Sequence, residues 1–385
     1  MNILRRISTR ALVLSLLVVA AVSAASAYAV STRSGPKPPA RPLAAAIHGS
    51  LAGTRLPGVT ARISFTDHLF PSDSLGGSSS PLLSGATGRL WIGGGRARIE
   101  LQGSNGDTEI AVTKSGVTVY DVSSGTAYRL PFGHAGSAPT TASPHARQAP
   151  PSLTEIRSAL AEAARHVSLS GAIPGNIGGR PSYSVRISPR HDGGLLGAVE
   201  LGWDAARAVP LKIALYSQGQ SSPVLALAVT NISYGPVPAS DLQVTPAPGT
   251  RIVTVRRPAS GSGPKSAEVT GFASVAQHLP FALHAPRSLV GVPRQAIRLV
   301  NWGGKAAALA VYGRGLGAVL VLEQQAAGRP LLPAALPTVS IDGASGRELA
   351  TALGTVLQFD RQGVRYTVIG SLPAAAAEAA ARAVS

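Results

Sequence analysis

The residue types that could carry a reaction are few in this chain of 385 residues. Ser-x-x-Lys, a spacing that can bring a lysine amine beside a nucleophilic serine at the start of a helix, occurs at Ser34–Lys37 and at Ser262–Lys265. Both copies contain Gly-Pro, which interrupts a helix, so we expect linkers at both places. Cysteine is absent, which excludes disulfides, thiol nucleophiles, cysteine metal ligands and a lipid-modified cysteine anchor.

Histidine and carboxylate spacings do not indicate a catalytic site. The eight histidines are scattered, and none lies in His-Glu-x-x-His or another metal-ligand spacing, so we expect neither a metal nor another cofactor. Asp107 with Glu109, and Asp342 with Glu348, are the pairs that could act together in hydrolysis, but we expect solvated carboxylates at both. The sequence therefore predicts a binding or sensing protein and no enzyme.

Composition favours a sheet-rich exported protein with a basic surface. Hydrophobic residues make up 45% of the chain and aromatic residues 4%, so Val, Ile, Leu and Ala must build any core or pocket. The 43 Gly and 30 Pro fit many short strands better than a helical bundle. The net charge of +17 indicates either attraction to an anionic membrane surface or cell-wall polymer, or an ordinary solvated basic surface. Basic and aromatic residues do not interleave, so we expect no nucleic acid partner.

The N-terminus has the pattern of a targeting segment. Residues 1–10 contain three arginines and residues 11–30 are apolar. Small-x-small cleavage sites lie at 25–29, near the end of the apolar stretch. Residues 1–29 are therefore either a cleaved signal peptide or an N-terminal anchor. Both alternatives place the rest of the chain outside the cytoplasm, in the cell envelope. A Pro-rich stretch at 30–42 is predicted to be a linker.

Short strands with only turns between them dominate the region 86–130. Apolar and polar residues alternate there with a period of two, which is typical of antiparallel strands with one buried face. Further strands are predicted at 59–70 and within 182–234, and 251–255 is predicted to be the last edge strand. Something must cover the apolar face of this sheet.

A helix predicted at 152–167 is the natural cover. Ser152 and Glu155 form a capping box at its start, and an apolar stripe includes Ile156 and Leu160. A shorter helix is predicted at 43–54. We expect ten apolar strand residues to face one side of the sheet: Ile63, Phe65, Leu90, Ile92, Ile99, Leu101, Ile110, Val112, Val117 and Val119. They form either a plain core under the helix or a cavity for an aliphatic chain. With Ile156 and Leu160 they are the predicted ligand-binding residues, and the sequence leaves both alternatives open.

A second domain follows a predicted linker at 256–267. Residues 268–385 mix strands with two helices and predict a smaller α+β domain. A tight hairpin is expected between the strands 353–359 and 364–370, and an Ala-rich helix at the C-terminus.

The stretch 43–255 resembles the lipoprotein-carrier (LolA-like) fold, in the form fused to further segments in exported actinobacterial proteins. The segments that carry this resemblance are LPGVTARI at 56–63, LLSGATGRLWIGGGRARIELQG at 82–103, DTEIAVTKSGVTVYDVSSGTAYRL at 107–130, and the strands within 181–220. The resemblance implies a mainly β, α+β fold: a curved antiparallel half-barrel with plugging helices. The two-domain layout is similar to that of RseB-like periplasmic regulators of sigma factors.

Two functions follow from the resemblance. The first is an envelope-associated binding protein that holds a lipid or lipoprotein acyl chain in the apolar cavity of the sheet. The alternative is an RseB-like envelope-stress sensor that binds an extracytoplasmic protein of anti-sigma type.

Overall fold

The computed structural model describes residues 35–53, 56–70, 85–104, 106–132, 151–191, 193–255, 269–328, 330–334 and 336–384. The predicted signal peptide or anchor (1–29) and the predicted linker at 256–267 lie outside these residues. None of the helices within the described ranges is long and apolar enough to cross a bilayer.

Thirteen strands form one large sheet. The strands are β1 (Gly58–Asp67), β2 (Ala86–Gly93), β3 (Arg96–Gly103), β4 (Gly106–Val112), β5 (Gly116–Asp121), β6 (Thr126–Pro131), β7 (Val167–Leu169), β8 (Ile173–Ile177), β9 (Arg180–Pro189), β10 (Leu196–Asp204), β11 (Pro210–Ser217), β12 (Leu225–Tyr234) and β13 (Arg251–Thr254). Their order is β13-β6-β5-β4-β3-β2-β1-β12-β11-β10-β9-β7, with β8 also paired to β9. All neighbours are antiparallel except β13, which runs parallel to β6. The predicted meander and the predicted edge strand are confirmed.

One face of this sheet is apolar because its strands alternate as the sequence predicts. Val59, Ala61, Ile63 and Phe65 of β1 are buried, whereas Arg62 between them is exposed. The buried row continues through Ile99, Leu101 and Ile110 on one side of β1, and through residues of β11 and β12 on the other. The sheet curls around this row, which gives a mainly β, α+β fold with a curved antiparallel half-barrel.

The helix that was expected to cover the apolar face lies elsewhere. The helices of this part are α1 (Leu43–Leu51) and α2 (Leu153–Ala163). The capping box of α2 is present, with the Glu155 amide donating to Ser152 Oγ. However, α2 packs against α1, and no residue of α2 belongs to the buried apolar cluster of the sheet. The predicted lid is therefore wrong: an amphipathic stripe specifies that a helix is covered, but not by which element.

The described part of the predicted linker, 35–42, is docked on the sheet. Asn176 Nδ2 donates to the carbonyl of Pro36 at 3.0 Å, and the Tyr183 hydroxyl donates to the carbonyl of Pro39 at 2.7 Å. The restricted backbone of this Pro-rich segment lowers the conformational entropy lost on docking.

Eight strands form a second sheet within the described residues from 269 onward. The strands are β14 (Ser288–Leu289), β15 (Val292–Trp302), β16 (Lys305–Tyr312), β17 (Val319–Gln325), β18 (Thr338–Ile341), β19 (Ala344–Thr351), β20 (Gly354–Arg361) and β21 (Val364–Gly370). Their order is β14-β15-β16-β17-β21-β20-β19-β18. Helices α3 (Phe272–Ala276) and α4 (Ala374–Val384) supply Val275, Ala380 and Ala381 to its core.

The predicted hairpin between β20 and β21 is present. Arg361 pairs with Val364, so the turn is Gln362-Gly363, and both turn residues have positive φ (48° and 77°). Two such residues are what a tight type I′ turn requires.

We predict that Leu101→Ala will lower the free energy of unfolding by about 2–5 kcal/mol, because Leu101 is fully buried and its removal leaves a cavity. Ile92→Ala on the same face should lower it by less than about 1 kcal/mol, because Ile92 is 39% exposed. Urea unfolding of both variants measures the difference. Equal losses would contradict the placement of Leu101 at the centre of the core.

Candidate functional site

The ten predicted strand residues share one face of the large sheet. Cross-strand pairing joins Ala61 to Leu90, Leu90 to Ile99, Ile99 to Ile110, and Ile110 to Val119. Directly paired residues point to the same side of a sheet, and alternation along each strand places the other predicted residues on that side. Ile156 and Leu160 lie on α2 and are not brought into this cluster.

Burial divides these residues into two groups. Ile63, Phe65, Ile99, Leu101 and Ile110 are buried and contact one another. The remaining members are half-buried or exposed: Leu90, Ile92, Val112, Val117 and Val119. Any ligand of this face would therefore contact the β2–β5 half. Ligand binding by these residues stays a prediction.

A cleft of about 310 Å³ that the sequence did not indicate lies at the other end of the sheet. Four stretches of chain build it: the docked prolines 38–39, helix α1, the start of β9, and the turn 205–209 between β10 and β11. Three arginines, Arg41, Arg180 and Arg207, line it, and Asp204 is the one carboxylate among its described lining residues. We call this the arginine cleft.

Asp204 organises the turn that carries Arg207. Its Oδ1 accepts from the backbone amides of Ala206 at 2.8 Å and Arg207 at 3.0 Å. This Asx-type arrangement holds the turn, in which Ala208 has a φ of 53°, an unfavourable value for a residue with a Cβ. The Asp204 side chain is buried, and its oxygens accept hydrogen bonds from groups of the protein itself.

Tyr234 holds two of the three guanidinium groups. The carbons at the centre of the Arg180 and Arg207 guanidiniums lie 4.9 Å and 4.8 Å from the centroid of its ring. The Tyr234 hydroxyl donates to Asp204 Oδ2 at 2.6 Å. Burial and this hydrogen bond raise the pKa of Tyr234, so the hydroxyl stays a donor. Stacking on an aromatic ring orients each guanidinium before any ligand arrives.

The third arginine, Arg41, lies two residues before α1. Its side chain passes close to Gly49 in the second turn of the helix, where a Cβ would lie 3.5 Å from Nη1. At Gly53 there is no room for a side chain, because a Cβ there would be 2.4 Å from the carbonyl oxygen of Ala206. The close contact between the end of α1 and the 205–209 turn depends on this glycine.

The arginine cleft is suited to an anion. Its three guanidiniums face one carboxylate that already accepts three hydrogen bonds, so positive charge is in excess. Guanidinium groups bind carboxylates in a planar, two-bond geometry, and the Pro38, Pro39 and Pro181 walls are rigid and apolar. Sequence reasoning missed the cleft because its arginines are distant along the chain. The one local signal in the sequence is Asp204 followed three residues later by Arg207. This spacing predicts a turn, but it does not predict which other residues lie beside that turn.

The carboxylates considered as pairs in the sequence were expected to be solvated, and this expectation is wrong for Glu348. Glu109 forms an ion pair with Arg98 at 3.0 Å. Asp342 lies 3.8 Å from Arg361 in an exposed turn, whereas Glu348 is buried on β19. Among the described residues, no group of three or more His, Asp or Glu side chains could hold a metal ion.

The second sheet contains one fully buried carboxyl group, that of Glu323 on β17. Its cross-strand neighbours on the two sides are Ala308 and Tyr366. Glu323 Oε2 accepts from the amide of His284 at 2.9 Å, while Oε1 has no partner among the described residues. Burial raises the pKa of Glu323 to about 8.

Comparisons with known proteins give a likeness in structure alone. No family model matches the sequence, and no curated protein matches it. The chain is similar to MucB of Pseudomonas aeruginosa in its complex with MucA, with 18% identity and a TM-score of 0.39 over 88% of this chain and 94% of MucB. A structure of MucB with the periplasmic part of MucA gives the same values. An uncharacterised conserved protein of Thermus thermophilus is 12% identical, with a TM-score of 0.32 over 55% of this chain and 95% of that protein.

We predict that stability will fall as pH rises from about 4.5 to about 8, the span between the ordinary and the raised pKa of Glu323. Across this range the folded protein keeps the proton that the unfolded chain has lost, so rising pH favours unfolding. Glu323→Gln should flatten this slope. Urea unfolding at pH 5, 6, 7 and 8 tests it, with Glu162→Gln on the surface of α2 as the control. An unchanged slope in Glu323→Gln would contradict a protonated Glu323.

Proposed function

We propose that this chain is an exported binding protein that holds an acidic segment of a protein partner in the arginine cleft. The carrying observation is the convergence of Arg41, Arg180 and Arg207 on one cleft in which the only described carboxylate is already satisfied. The basic-then-apolar N-terminus supports export. The partner is of the class predicted as the alternative from the sequence, an extracytoplasmic protein of anti-sigma type.

The cleft fits a peptide side chain in size and chemistry. A volume of about 310 Å³ lies at the lower end of the range of small-ligand pockets and accommodates one or two side chains. Two guanidiniums pre-ordered on Tyr234 lose less rotamer entropy on binding than free arginines would. Prolines 38 and 39 give a rigid wall beside which an extended segment can lie. The MucA/MucB complex likewise joins two proteins, but this chain's own residues carry the proposal.

We predict that Arg180→Gln combined with Arg207→Gln will weaken the binding of an acidic peptide at least about tenfold, a loss of about 1.4 kcal/mol or more. The probe is a fluorescein-labelled octapeptide with four Glu residues, followed by fluorescence anisotropy at fixed ionic strength. The physical reason is the loss of two charge-assisted contacts in a partly desolvated cleft.

The control is Arg157→Gln, which removes one exposed positive charge from α2, a helix that supplies no lining residue of the cleft. It should leave the affinity within about twofold, because the three guanidinium groups of the cleft stay in place and an exposed charge is screened by salt. The same peptide with Gln in place of Glu should bind weakly to every variant. If Arg157→Gln weakens binding as much as the cleft variant does, binding depends on the net charge of the protein and not on the cleft, and the proposal fails.

A second candidate is an acyl-chain ligand on the apolar face, as predicted first from the sequence. The observation that favours it is the half-buried group Leu90, Val112, Val117 and Val119, which continues the buried row toward β6. An aliphatic chain covering these side chains would gain roughly 0.8 kcal/mol for each buried methylene. This ligand would contact a different part of the sheet from the arginine cleft.

For this candidate we predict that the chain, purified from a host close to its own, retains a lipid that native mass spectrometry detects. Val119→Glu should lose the bound lipid, because a carboxylate on this face opposes burial of an acyl chain. Thr118→Glu, on the opposite face of the same strand, is the control and should retain it. A protein that is empty when purified would leave the arginine cleft as the site of function.

A further inference from the structure

The large sheet ends on a strand whose outer edge is open. β13 pairs with β6 in parallel, Arg251 beside Thr126 and Thr254 beside Arg129. Within the described ranges no strand lies on its other side. Open edges attract further strands, and proteins usually shield them.

Backbone hydrogen bonds show which groups of β13 face outward. The amide of Arg251 donates to the carbonyl of Gly125 at 2.9 Å, and that of Val255 donates to the carbonyl of Arg129 at 2.8 Å. Along an extended strand, N–H and C=O groups of successive residues point to opposite edges. Those of Ile252 and Thr254 therefore point away from β6, and no described residue bonds to them. An added strand would gain up to four backbone hydrogen bonds there.

The other edge strands are short, shielded or poor in donors. β8 has five residues and pairs with β9 alone, but Pro174 in it has no N–H, and its Asn176 side chain donates to the docked Pro36. β7 has three residues and β14 has two. On β18, Arg382 of α4 donates to the carbonyl of Ser340 at 3.4 Å. β13 is thus the edge best suited to pairing among those that the structure describes.

Exposed apolar side chains gather at the same edge. Val122 is 43% exposed, Tyr128 41%, Ile252 44% and Val255 44%. These are four of the eleven large hydrophobic residues that are exposed in the described part of the chain, a concentration that marks an interaction surface. Tyr128 and Val253 share one face of the sheet, and Ile252 lies on the other. An added strand would therefore find apolar neighbours on both faces.

The positive charge beside the open edge of β13 indicates which kind of segment can pair there. Arg129 and Arg251 are exposed beside the open edge, and the whole chain carries +17. A second copy of the chain would bring the same arginines and the same charge, which opposes self-pairing. We propose that β13 receives, as an added strand, an extended segment of another protein in which apolar and acidic residues alternate. This surface is separate from the arginine cleft, which lies near the opposite end of the strand order.

The test uses the full chain and the peptide fluorescein-Val-Glu-Val-Glu-Val-amide, with fluorescence anisotropy for affinity and hydrogen–deuterium exchange for location. Thr254→Pro removes one outward N–H without touching the hydrogen bonds to β6, since proline is tolerated at edge positions whose N–H faces solvent. We expect it to weaken binding at least about tenfold. Thr254→Ala keeps the N–H and should bind within about twofold of the unaltered chain. Exchange should slow in a fragment that spans 251–255.

Two further measurements distinguish strand addition at β13 from an effect on folding and from binding in the arginine cleft. The same peptide N-methylated at every residue keeps its side chains and charge but cannot donate, and it should not bind the unaltered chain. Arg180→Gln with Arg207→Gln should leave strand addition unchanged. Equal affinity for Thr254→Pro and Thr254→Ala, binding of the methylated peptide, or dimerisation through this edge in analytical ultracentrifugation would overturn the proposal.

Discussion

The antiparallel pairing of β1 with β12 is the interaction on which the rest of the large sheet depends. It joins the strands up to residue 131 to those after residue 167, and the only other pairing between these two groups is the four-residue one of β6 with β13. The pairing runs from Val59 beside Tyr234 to Asp67 beside Leu225, with a bulge between Arg62 and Ile63. A slip by one residue would turn Ile63 and Phe65 to solvent and Arg62 into the core. The apolar row therefore enforces the register, and the register in turn places Tyr234 beside the arginine cleft.

The same alternation explains why the two proposed recognition surfaces differ in chemistry. Strands β9 and β10 each have a neighbour on both sides, so their backbone groups pair within the sheet and side chains must recognise a partner. The arginine cleft is of this kind, and its selectivity comes from guanidinium groups oriented by Tyr234 and Asp204. At β13 the backbone itself is unsatisfied on one side, and recognition there requires little more than an extended chain of suitable charge.

Period-two patterns predicted most of the first sheet, including its last edge strand, because burial on one face leaves a direct trace in the order of residues. The short strands β7, β8, β14 and β18 lack enough residues to show a period. The lid was predicted wrongly because the apolar stripe of α2 fits the side of α1 as well as it fits a sheet. The arginine cleft left no local trace, since Arg41, Arg180 and Tyr234 meet only after the sheet has formed. Local patterns thus predict elements, whereas a site assembled from distant loops requires the register between them.

The two sheets are joined at the end of β10 that is remote from the arginine cleft. The amide of Leu195 donates to Ser371 Oγ at 2.9 Å, and Ser371 Oγ donates to the carbonyl of Leu353 at 2.7 Å. Gly194, with a φ of 57°, leaves no room for a Cβ, which would lie 2.4 Å from the carbonyl oxygen of Ser371. β10 carries Asp204 at its other end and has nine residues, a span of roughly 30 Å. β11 pairs with β10 from Leu196 to Trp203, and β9 pairs with it from Val199 to Asp204. The Asp204 turn is therefore connected to the second sheet by a paired strand rather than by a loop alone.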